Sequence, residues 1–84
     1  MKHPRSVENY DGTLEELAKA IGKMTYDQVE VFLIELEKDF KKQAEADIKR
    51  GRPQLATELY KTSFSLRESS KCVSKAWKIC RPYM

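Results

Sequence analysis

Between two long stretches of helical periodicity the chain reads Lys49-Arg50-Gly51-Arg52-Pro53, and this break constrains the fold more than any other feature. Glycine takes the left-handed conformation that closes a helix at little cost, and proline suits the first turn of the next. A link this short leaves the second long helix no course except back along the first, so the spacing predicts an antiparallel helical hairpin. The 84 residues are too few for a second hydrophobic core, so residues 1–84 read as one helical domain.

Each helix has a legible start. Thr13 with Glu16, and Thr25 with Gln28, have the spacing of a capping box, in which each side chain satisfies the other residue's backbone amide. Met24 before the second cap and Val29 after it fit a hydrophobic staple. The expected helices span about 13–22, 26–50 and 53–80, after a flexible tail at 1–12 that contains Pro4 and the turn-forming Asn9-Tyr10-Asp11-Gly12. The apolar stripe of the second helix is Val29, Phe32, Leu33, Leu36, Phe40, Ala44 and Ile48. On the third it is Leu55, Leu59, Thr62, Leu66, Ser69 or Ser70, Val73, Ala76 or Trp77, and Cys80. Folding at Gly51 then sets Ile48 against Leu55, Ala44 against Leu59, Phe40 against Thr62, Leu36 against Leu66 and Val29 against Val73.

Several apolar residues fall outside these stripes. Val31 and Ile34 on the second helix, and Tyr60, Phe64 and Ile79 on the third, would stand in water in a bare hairpin. The short first helix, apolar at Leu14, Leu17, Ala18 and Ile21, can cover some of them, and a partner chain the rest. These five are the candidate protein-contact residues. The expected fold class is therefore all-α: a short N-terminal helix followed by a long antiparallel hairpin, dimerising into a four-helix bundle.

Charge is divided along the chain. Residues 1–48 hold 7 Lys/Arg and 11 Asp/Glu, net −4, whereas residues 49–84 hold 9 and 2, net +7. Such asymmetry marks either nucleic-acid contact or an acidic helix lying beside a basic one, and the hairpin favours the second. The alternative reading is a nucleic-acid-binding module using the basic third helix through Lys71, Lys75, Lys78 and Arg81, with Arg50 and Arg52 at the turn. Arg50-Gly51-Arg52-Pro53 also matches the core of an AT-hook, but Ile48 and Leu55 on either side belong to helical stripes, which favours a capping turn.

No catalytic residue, cofactor or metal ligand set is expected. His3 is the only histidine, so no serine–histidine or cysteine–histidine pair and no Glu-x-x-His motif can be drawn, and no glycine-rich phosphate loop is present. Cys72 and Cys80 lie about 12 Å apart on one helix, too far to bridge, and read as reduced thiols. With no signal peptide and no membrane span expected either, the localisation expected is cytoplasmic. The partners expected are a second copy of the chain and another protein.

Met24-Thr25-Tyr26-Asp27-Gln28, followed by Phe32-Leu33 and Leu36, resembles the start of the long helix in the NblA phycobilisome-degradation protein family of cyanobacteria. The resemblance covers residues 24–36 and extends loosely back to Leu17. It implies a helical hairpin that dimerises into a four-helix bundle, and an adaptor role between pigment proteins and a protease. The whole helix after Gly51 departs from that pattern, and no partner-binding residue of the family carries over.

Overall fold

The computed structural model describes residues 3–83; the first two positions of the expected tail lie outside that range. Among the described residues the chain is all-helical: α1 (Leu14–Gly22), α2 (Tyr26–Lys49) and α3 (Pro53–Cys80), closed by a short 3₁₀ turn at Arg81–Tyr83. The two long helices pack on each other as a hairpin. α1 forms no packed interface with either, none of its residues is buried, and Leu14 points into solvent.

The helix starts differ from one another. At α1 the capping box is complete: the Glu16 amide donates to Thr13 Oγ1 at 3.1 Å, and the Thr13 amide donates to Glu16 Oε1 at 3.2 Å. At α2 the expected box does not form, because Thr25 makes no side-chain cap. Its main-chain carbonyl does the work instead, accepting the amides of Gln28 at 2.9 Å and Val29 at 3.1 Å.

The turn is a Schellman closure. Gly51 sits at φ 75°, the Arg52 amide donates to Asp47 O at 2.8 Å, and the Gly51 amide donates to Ile48 O at 3.0 Å. An apolar contact usually accompanies this motif between the residues that here are Arg52 and Asp47. An ion pair takes its place, with Arg52 Nη1 3.7 Å from Asp47 Oδ1.

The line along which α2 meets α3 differs from the stripes read in the sequence. Its buried residues are Ala44 and Asp47 on α2 and Ala56, Ser63 and Ser70 on α3, with Val29, Leu33, Leu36, Phe40, Leu59, Leu66, Val73 and Trp77 half-buried. Ile48, Leu55 and Phe32, expected inside, are exposed, and Thr62 turns outward to bond its own helix at Glu58 O. The expected pairing also shifts by about three residues, roughly one helical turn. Ser63 Oγ donates to Glu37 O at 3.2 Å, and counting one heptad from each toward the turn brings Ala44 level with Ala56. Small side chains let the two backbones approach closely, which the tight Gly51 turn requires, and larger side chains are displaced to the flanks.

Candidate protein-contact surfaces

A hairpin has two broad sides, and here they differ in chemistry. Numbered outward from the seam, one side carries Asp27, Val31, Ile34, Lys38, Lys41, Glu45 and Ile48 of α2 with Tyr60, Phe64, Arg67, Lys71, Lys78 and Arg81 of α3, and is net cationic. A groove on this side is lined by Glu30, Ile34, Glu37, Lys38 and Lys41 together with Arg67 and Lys71, four cations against two acids, which fixes the two helices' residues to a common surface. Its apolar centre is open at Val31, 52% exposed, and Phe64, 63%, whereas Ile34, expected to stand in water, is half-buried against the groove. Tyr60 and Phe64, one turn apart, form a shallow hollow with Thr57 and Lys61.

The other side carries Val29, Phe32, Leu36, Gln43 and Ala46 of α2 with Leu55, Thr62, Ser69, Ala76 and Ile79 of α3. Its only charged positions are Asp39, Arg50 and Glu58. At the turn end His3 lines a hollow with Gln43, Ala46 and Leu55 and with the charged Lys42, Asp47, Arg50 and Arg52, so the N-terminal segment reaches this side where charge borders it. Four of the five sequence-derived contact residues, Val31, Ile34, Tyr60 and Phe64, thus share the cationic side. Ile79, 75% exposed, belongs to the uncharged one. The uncharged surface is hidden in the sequence because Phe32 and Leu55, exposed here, lie on the apolar stripes, as do the half-buried Val29 and Leu36.

The basic residues do not form one site. Arg50 and Arg52 both lie 3.7 Å from Asp47 Oδ1 at the turn. Lys71 begins the other group about 28 Å away along α3. There Lys71 pairs with Glu68 at 3.6 Å, while Lys75, Lys78 and Arg81 make no ion pair among the described residues. Every ion pair along the helices is local, as in Lys38–Glu35 at 3.2 Å and Lys61–Glu58 at 3.4 Å. The acidic and basic helices lie side by side, yet among the described residues no ion pair joins the body of α2 to that of α3. On the cationic side Lys38 and Lys71 are paired within their own helices, while Lys41, Arg67, Lys78 and Arg81 make no ion pair among the described residues.

Asp47 is the one acid buried in the seam, and its two guanidinium partners are about half exposed. Asp47→Asn is expected to cost about 1 kcal/mol or less, since both partners stay hydrated. A urea midpoint that falls at low salt and converges with the parent in concentrated salt would show this; equal midpoints at low salt would mean the pairs add nothing.

Neither Cys72 nor Cys80 is in a disulfide. No helix is long and apolar enough to cross a membrane, and no cluster of three His, Cys, Asp or Glu side chains suits a metal, both among the described residues. Comparison with protein-family models, with curated proteins and with solved structures finds no match to the chain.

Proposed function

We propose that this chain is a small, non-enzymatic regulatory or adaptor protein of the cytoplasm that acts through helix-mediated protein–protein contacts and works as a homodimer. One observation carries the reading: among the described residues only Ala44 and Ala56 form a buried apolar core, while Val31, Phe32, Leu55, Phe64 and Ile79 stay exposed. A fold that buries so little of its own apolar surface is suited to burying it against other chains. The local resemblance of residues 24–36 to an adaptor family agrees with this.

The cationic side gives the contact its chemistry. Val31, Ile34, Tyr60 and Phe64 anchor the partner by burial, and Lys38, Lys41, Arg67 and Lys71 around them select an acidic one. Tagged capture from host lysate, with and without nuclease, tests it. The expected result is a set of proteins that survives nuclease and is retained at least about tenfold less by Phe64→Glu, a hot-spot loss. The same set captured by parent and variant would remove this surface from the account.

A second reading is kept by the uncompensated Lys75, Lys78 and Arg81. It has the open end of α3 tracking a nucleic-acid backbone, and it requires captured material to vanish with nuclease and affinity to fall steeply with log salt.

A further inference from the structure

We propose that a second copy of this chain docks on the uncharged side of the hairpin, through Val29, Phe32, Leu36, Leu55 and Ile79, and leaves the cationic side outward. This rests on reading the chain as an interaction protein, and it assigns self-association and partner capture to opposite surfaces.

The phase of the helices is the first argument. The seam of α2 passes through Leu33, Phe40 and Ala44, and that of α3 through Ala56, Leu59 and Ser63. Averaged over the stripes read in the sequence, from Val29 to Ile48 on α2 and from Leu55 to Cys80 on α3, the apolar direction lies about 40° from the seam on a heptad wheel. On both helices the rotation is toward the same, uncharged side. A helix with a single neighbour directs its apolar stripe at that neighbour. A helix in a square bundle of four directs it at the common axis, about 45° away from the line to the adjacent helix. The offset is therefore that of a four-helix bundle seen with two of its helices removed. Half of the docking surface is α3, which lies outside the residues of the family resemblance.

Surface area is the second argument. The accessible surface is 6950 Å². A compact chain of this mass exposes roughly 5,200 Å². The excess, roughly 1,700 Å² per chain, is shared between the two open sides of the hairpin and α1, which buries none of its residues. One side of the hairpin, about 36 Å long and about 20 Å wide, offers roughly 700 Å², close to one partner's share of a standard interface. On this side Phe32 is 39% and Leu55 45% exposed, Val29 and Leu36 are half-buried, and His3 lies at its turn end.

Charge supplies the third. Two copies meeting through the uncharged side bring together only Asp39, Arg50 and Glu58 and their counterparts. The other side, whose groove sets Lys38, Lys41, Arg67 and Lys71 against Glu30 and Glu37, keeps a net positive charge that two copies meeting there would oppose.

Sedimentation equilibrium of the full chain tests the proposal, beside two variants. The parent is expected at twice 9.8 kDa. Phe32→Glu combined with Ile79→Glu should dissociate at least about tenfold more readily with helical circular dichroism retained, and Phe64→Glu should dimerise like the parent. A parent that is monomeric at every concentration, or a dimer broken by Phe64→Glu and untouched by the double variant, overturns the proposal. Should the double variant lose its helix signal, X-ray scattering of the parent decides. A dimer that keeps a length near 49 Å and thickens along the 14 Å dimension supports face-to-face docking, and an end-to-end particle overturns it. A monomeric parent would leave the adaptor reading intact, because that reading fails only in the capture experiment with Phe64→Glu.

Discussion

Ser63→Leu is expected to lower the thermal midpoint by on the order of 10 °C, while Thr62→Leu, one residue earlier, leaves it unchanged or slightly raised. Ser63 is 6% exposed and sits where α3 comes closest to α2, with its hydroxyl on the Glu37 carbonyl at 3.2 Å. Leucine there adds three carbons to a seam that has no room for them, and overpacking of this kind costs about 1–3 kcal/mol. The lost hydrogen bond adds little, because a helical carbonyl already accepts from its own helix. Thr62 is exposed, and its hydroxyl only bonds back to Glu58 O at 3.0 Å. Leucine at 62 removes that competing bond and is the better helix former by a few tenths of a kcal/mol. Equal losses at both positions, or a larger one at 62, would mean that the helices meet along the sequence-derived stripe.

The second large effect lies at the turn. Gly51→Val is expected to destabilise the hairpin by about 2 kcal/mol, Gly51→Ala by about 1 kcal/mol and Gly51→Asn by less. At φ 75° an L side chain is strained, most of all a β-branched one, whereas asparagine tolerates the left-handed region. A Cβ built on Gly51 meets nothing within 4 Å, so the series measures backbone strain without any steric clash. Thermal midpoints should be compared at one protein concentration, since association shifts them. Three substitutions with the same midpoint would show that the chain turns here without a left-handed residue.

Gly51 and Pro53 made the hairpin legible because local backbone chemistry decides a turn, and Thr13 with Glu16 announced α1 for the same reason. The phase of the seam was not legible. Hydropathy periodicity reports where a helix prefers cover, without saying which neighbour supplies it. Ala44, Ala56, Ser63 and Ser70 define the closest approach by being small, a property that a search for large apolar residues passes over. The same error hid the uncharged side: Phe32 and Leu55 read as interior, and both are exposed. Val31, Tyr60 and Phe64 stood out correctly as exposed apolar residues, but their lysine and arginine surroundings come from both helices and appear only once the hairpin is closed.

The bond from Ser63 reaches the main-chain oxygen of Glu37, an atom that every residue type possesses. α3 is therefore aligned to a place on α2 and is indifferent to which side chain grows from it. Residue 37 can change, and with it the charge beside the cationic groove, while the alignment of the two helices is inherited unaltered. The scaffold and the surface it displays are in this respect separately heritable, and a lineage could exchange one partner for another without rebuilding the hairpin.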